Sequence, residues 1–177
     1  MERETGVNAF LGKTIEIAMV VSDYRIALEE LNRAGIGPWR VYTIGPENTT
    51  DQTYRGKSEE FTIKACFAEI GDVVWEVIQP VSGSAIFQEF LDRGGQGLHH
   101  VAYDCCDIPF PSRIEEFQRR GYELVQSGNW ADGCHFAFFT TGGGETTCLE
   151  TIAFATGWEY PEPDEQYPFA PQYALRE

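Results

Sequence analysis

The sequence predicts an α+β fold made of two copies of one unit, each a strand, a helix and three further strands. Three observations carry this. "EIAMVVSD" (residues 16–23) and "HVAYDCCD" (residues 100–107) both run polar residue, β-branched residue, Ala, four mostly apolar or small residues and then Asp, 84 residues apart. Each Asp precedes a helical pattern that ends in a glycine, Gly35 or Gly121, so a second feature keeps nearly the same spacing. Each half then closes on a hairpin pattern, with Lys64 and His135 both seven residues before a turn glycine, Gly71 or Gly142.

In chain order, the opening strand is followed by "YRIALEELNRAG", a helix with Ile26, Leu28 and Leu31 on its apolar face. "WRVYTIG" is a strand. "PENTTDQTYRGKSEE" (residues 46–60) has no counterpart in the second half and reads as a polar loop over one site. "FTIKACFAEIGDVVWEVIQP" is a hairpin turning at Gly71 and Asp72. "SGSAIFQEFLDRGGQG" is a short bridging helix, with Ser82 or Ser84 near its cap and glycines at its end. The second unit repeats the order. It has the strand "HVAYD", the helix "SRIEEFQRRG" with Ile114 and Phe117 inward, the strand "YELVQSG", and a hairpin turning at Gly142 to Gly144. The expected boundaries are 12–82 for the first module, 83–96 for the linker helix, 97–155 for the second module and 156–177 for a C-terminal arm. The arm holds four prolines beyond Trp158 and should form no regular element. Its Trp158, Tyr160, Tyr167, Phe169 and Tyr173 are costly to leave in water, which predicts packing on its own domain or on a second subunit.

Composition narrows the partners. With 42% apolar and 14% aromatic residues, the 177-residue chain can build a sizeable core. A net charge of −15 repels nucleic acid and anionic membranes, so neither is expected as a partner, and it disfavours polyanionic substrates such as coenzyme A esters. Apolar runs such as "IAMVV" are far short of the roughly 18 residues a span requires, and "MERETGVNAF" lacks a signal-peptide core. The expectation is a cytoplasmic protein. Five cysteines without a C-x-x-C pair do not make a disulfide framework and read as small core residues.

Against this background four polar residues stand on strands that are otherwise core-like: Glu16, Glu76, His100 and Glu150. A lone buried carboxylate costs several kcal/mol, so three need a cation or hydrogen-bonded partners. The repeat makes Glu16 equivalent to His100 and Glu76 equivalent to Glu150, and a twofold-like arrangement gathers all four around one cavity. One imidazole and three carboxylates suit a hard or borderline divalent ion with positions left for water or substrate. Strand alternation predicts that His99, beside His100, points away and is structural.

The opening strand with "VVSD" and a helix, the stretch "EVIQPVSGSAIFQEFLDRGGQGLHHVAYD" and the closing "CLETI" resemble the vicinal oxygen chelate superfamily, and within it methylmalonyl-CoA epimerases and glyoxalase I. The likeness covers about residues 12 to 155. It implies paired βαβββ modules forming an open, curved mixed-sheet barrel, a central divalent metal and a homodimer. The family's metal positions fall on Glu16, Glu76, His100 and Glu150. Many relatives have His or Gln at the place of Glu16, and a carboxylate there makes the site more anionic and lowers the Lewis acidity of an ion. The epimerases carry an acid/base carboxylate on the strand that here holds Lys64, a departure that argues against methylmalonyl-CoA itself.

The expected chemistry is an isomerase, epimerase or lyase reaction through a metal-stabilised enolate of a small carbonyl or aromatic substrate. Glu150 or Glu76 would move the proton, and metal loss would free both as an acid–base pair. Lys64 and His135 are expected to bind or polarise substrate, within a pocket lined by aromatics such as Trp130 and Phe138. Two other readings share the fold. A ring-cleaving dioxygenase normally uses two His and one Glu for iron, and a non-catalytic binding protein would carry apolar residues in place of four ligands.

Overall fold

The computed structural model describes residues 10–83, 85–141 and 148–168. The first half comprises β1 (Thr14–Val20), α1 (Tyr24–Arg33), β2 (Trp39–Ile44), β3 (Thr49–Tyr54), β4 (Lys57–Ser58), β5 (Phe61–Ile70) and β6 (Val73–Gly83). After α2 (Ile86–Asp92), the second half comprises β7 (Gly97–Tyr103), α3 (Phe110–Arg119), β8 (Tyr122–Trp130), β9 (Cys134–Thr141) and β10 (Cys148–Phe154), and β11 (Glu165–Tyr167) follows.

All strands join one curled sheet in the order β11-β2-β5-β6-β1-β7-β10-β9-β8-β3-β4. The repeat is visible in that order. In each half the opening strand pairs in parallel with the closing strand, β1 with β6 and β7 with β10, and the two halves meet where β1 and β7 run antiparallel. The fold is therefore the α+β arrangement of repeated βαβ-type elements, curled into an open mixed-sheet half-barrel.

Period-two alternation decides what the barrel encloses. Val20, Ile44, Phe61, Ile63, Phe67, Ile78, Phe138 and Ile152 point inward to form one core, joined by α2 through Ile86 and Phe87. The opposite face of the first half packs under α1, with Leu28, Trp39, Val41 and Val77. The opposite face of the second half packs under α3, with Phe117 and Phe139 stacked at 4.2 Å. Each helix thus covers the outer face of its own module. Gly128 on β8 is required by close approach, because a Cβ there would lie 2.5 Å from the ring of its cross-strand neighbour Phe136.

Asp23 starts α1 by accepting from the backbone N–H groups of Arg25 and Ile26, so "VVSD" ends in a cap. Several expectations need correction. Ile26 is 58% exposed, and the buried face of α1 is Tyr24 and Leu28. Ser82 lies in β6, the N-cap of α2 is Ala85 without a side-chain bond, and Ser84 lies outside the described residues. On α3, Ile114 and Phe117 face the second-half core as expected, and Arg113 is buried as well, because its guanidinium satisfies the carbonyls of Cys106, Ile108 and Ile152 and the hydroxyl of Thr151. The predicted turn at Gly142 to Gly144 is outside the described residues.

Residues 46–60 are a hairpin and not a loop. β3 leaves the first half and pairs with β8 at the far edge of the second, and β4 extends that edge. The arm also forms a regular element, since β11 pairs antiparallel with β2. A bidentate Arg25–Glu165 pair at 2.8 Å and Asp164, which accepts from the N–H and hydroxyl of Thr43, fasten it. Pairing an edge strand satisfies backbone groups that the proline-rich composition does not advertise. Phe169 and Tyr173 lie outside the described residues.

Candidate metal centre

Glu16, Glu76, His100 and Glu150 stand on β1, β6, β7 and β10, the four adjacent strands at the middle of the sheet. All four are buried, and their side chains converge. His100 Nε2 lies 3.2 Å from Glu150 Oε2, 3.3 Å from Glu76 Oε2 and 4.0 Å from Glu16 Oε1. Ligand atoms of Glu16, His100 and Glu150 all fall within 4.8 Å of one another. His100 Nε2 and Glu150 Oε2 make no hydrogen bond among the described residues.

These donors fit a divalent cation. Glu16, His100 and Glu150 each offer a ligand atom within 4.8 Å of the others, a spacing one ion could bridge, and Glu76 Oε2 lies 3.3 Å from the same imidazole nitrogen. Oxygen and imidazole donors select a hard or borderline metal. Two buried polar atoms 3.2 Å apart and without a hydrogen bond are costly unless they share a proton or a cation.

Without an ion, the cluster shifts its own protons. Burial, and then the Glu76 and Glu150 carboxylates, push Glu16 well above the usual carboxylate range. Burial likewise raises Glu150, against the opposing pull of His100. Burial alone would lower His100, but the adjacent Glu150 and Glu76 outweigh it and raise the imidazole to about 9. A divalent cation would reverse this balance by favouring the charged carboxylates and the neutral imidazole.

Above the donors opens a cavity whose empty space, with the solvent at its mouth, is about 540 Å³. Glu16, Glu76 and Glu150 are its charged lining residues. The remaining wall is apolar or aromatic, including Phe67, Trp130, Phe136 and Phe138. Tyr160, from the arm, closes one side and contacts Phe67 and Trp130 at ring distances of 5.7 and 6.1 Å. Arg40 lies over the outer face of Tyr160 at 4.2 Å.

Trp130 and Phe138 therefore line the cavity, whereas Lys64 and His135 do not. Inward residues on β5 are Phe61, Ile63 and Phe67; Lys64 has the opposite parity and pairs across the strands with Thr43. Its Nζ donates to Thr43 Oγ1 at 2.7 Å and lies 3.7 Å from Asp164. On β9 the cavity residues are Cys134, Phe136 and Phe138, so His135 falls on the outer face, 5.4 Å from the Phe110 ring of α3. The equal spacing of Lys64 from Gly71 and of His135 from Gly142 reflects the repeat. It places both outside.

His99 is the reverse case. Ala18 pairs with His100 but Met19 pairs with Leu98, so β7 accommodates one extra residue opposite β1. This bulge breaks the alternation that would send His99 away. His99 is buried, with its Nδ1 2.9 Å from Nδ1 of His100. Burial and then His100 lower it to about 3. Gly97 at φ 120° begins the bulged strand and was the available hint.

Comparison with known proteins agrees with this geometry. A family model described as the glyoxalase/bleomycin resistance protein/dioxygenase superfamily matches residues 16–138, and the chain belongs to that superfamily. Among curated proteins, an uncharacterized protein YqjC of Bacillus subtilis (strain 168) is 38% identical over 47 residues, which is 27% of this chain and 34% of that protein. The match thus spans about a third of the relative's length. Similar solved structures include a hypothetical protein from Bacillus halodurans C-125, with TM-score 0.60, 20% identity, and coverage of 84% of this chain and 98% of that one. A methylmalonyl-CoA epimerase from Mycobacterium tuberculosis gives TM-score 0.60 at 15% identity, covering 86% and 95%. A single-substitution variant of the Streptomyces coelicolor methylmalonyl-CoA epimerase, in complex with 2-nitronate-propionyl-CoA, gives 0.59 at 14%, covering 85% and 99%. At these identities the structural likeness is one of fold.

Proposed function

We propose that this protein is a metal-dependent isomerase, epimerase or lyase of the glyoxalase type, acting on a small carbonyl compound with an apolar or aromatic body. The carrying observation is the convergence of Glu16, Glu76, Glu150 and His100 at the base of an apolar cavity. The four would hold a divalent ion, which when bound polarises a substrate carbonyl and stabilises negative charge developing beside it. Glu150 or Glu76 takes the proton from the carbon next to that carbonyl and returns it. A bound ion would keep these carboxylates ionised and so able to accept that proton. The aromatic wall orients the substrate body and excludes water.

No lysine or arginine lines the cavity among the described residues, which disfavours a phosphate-bearing acyl carrier. The single imidazole in the cluster disfavours the two-His dioxygenase set. The test is metal analysis of the purified protein, followed by solvent deuterium exchange into uncharged aromatic and aliphatic α-hydroxy- or α-ketocarbonyl compounds. Metal-dependent exchange supports the proposal. Iron with oxygen uptake indicates the dioxygenase, and binding without exchange indicates a sequestering protein.

A further inference from the structure

We propose that His99 is the positioning residue of the centre: its Nδ1 accepts the Nδ1 proton of His100 and so fixes His100 Nε2 as the nitrogen offered toward the three carboxylates. The inference rests on the metal reading above.

The two Nδ1 atoms are 2.9 Å apart, so one must carry the proton and the other accept it. The orientation of His100 decides which. Its Nε2 is the ring nitrogen turned to the carboxylates, 3.2 Å from Glu150, 3.3 Å from Glu76 and 4.0 Å from Glu16. A cation held there would take the Nε2 lone pair, which leaves the ring proton of His100 on Nδ1 and the Nδ1 lone pair of His99 to accept it. A doubly protonated His99 would set two N–H groups against each other, in a pocket formed by the Phe87 and Phe90 rings at 5.4 and 5.0 Å.

A relay follows. Gln126 on β8 holds the first turn of α2, Phe87 and Phe90 of that helix pack on the His99 ring, and His99 holds His100. The bulge in β7 makes this possible, since strict alternation would put the two rings on opposite faces. A ligand imidazole whose second nitrogen is engaged keeps one tautomer and one ring orientation, and losing such a partner weakens metal binding about ten- to a hundredfold.

The experiment combines ¹⁵N NMR of the histidines, of which the chain has three, with Zn²⁺ affinity by competition titration. Expected is a nitrogen–nitrogen coupling between His99 and His100 with the proton on His100 Nδ1, in both the metal-free and Zn²⁺-loaded protein. His99→Phe keeps an aromatic ring between Phe87 and Phe90 and should weaken Zn²⁺ binding about ten- to a hundredfold. His99→Asn places an acceptor at the same bond distance from Cβ and should recover most of that loss. A proton on His99 Nδ1, or unchanged Zn²⁺ affinity in His99→Phe, overturns the inference. A wild-type protein that binds no Zn²⁺ overturns the metal reading instead, and the proton's location then decides the inference alone.

Discussion

Three carboxylates that are 3–6% exposed would be untenable in an ordinary core, where each isolated charge costs several kcal/mol. A cation held among them, or protons shared between them in its absence, would make that cost tolerable. Metal binding should therefore stabilise the fold by linkage. At a free Zn²⁺ concentration 100-fold above its dissociation constant, the gain is about 3 kcal/mol, measurable as a raised urea midpoint that EDTA reverses. His100→Ala should abolish that gain. Glu150→Gln should reduce deuterium exchange by about 10²-fold or more, since it loses a ligand and a proton carrier together. A Glu150→Gln protein that exchanges at the wild-type rate would assign the proton transfer to Glu76.

Elements place these residues, and each element has its own vulnerability. Arg113 ties α3 to β10 and to the Cys106–Ile108 segment through four hydrogen bonds, and Arg113→Met should cost about 3 kcal/mol in chemical denaturation by stranding buried acceptors. At the end of the same helix, hydrogen bonds from Arg119 and then Arg120 lower Glu116 to about 2, from an ordinary 4.5. A depressed carboxyl contributes stability that is full above 4.5 and lost as pH falls toward 2, so the urea midpoint should drop slightly between pH 5 and pH 3, and by less in Glu116→Gln. Much at this scale was legible: the strands carrying Glu16, Glu76, His100 and Glu150 follow from their core-like apolar composition and the internal repeat. Three features were not. The bulge at His99 depends on a pairing between β1 and β7 that neither strand encodes alone. The facing of Lys64 and His135 depends on which side of the sheet curls inward. The excursion of β3 to the far edge joins residues 74 apart, such as Thr53 and Ser127, for which a local pattern carries no signal.

At the scale of the whole molecule, both halves of one chain line one cavity, so a single chain holds the complete donor set. Zn²⁺ should bind one per chain whatever the state of association, a ratio that calorimetry with sedimentation on the same sample checks. The sheet order has a further consequence. The donors stand on β6, β1, β7 and β10, whereas much of the wall, including Phe67, Trp130, Phe136 and Phe138, stands on the flanking β5, β8 and β9. Phe67→Ala or Phe138→Ala should accordingly change which substrates are accepted while leaving Zn²⁺ affinity within about threefold, on the order of 0.6 kcal/mol. On the proposed function, the groups that would hold the ion and much of the wall that would meet the substrate stand on different staves of the same barrel, so a lineage could exchange its clientele by altering the outer staves while the inner ones kept their hold on the ion.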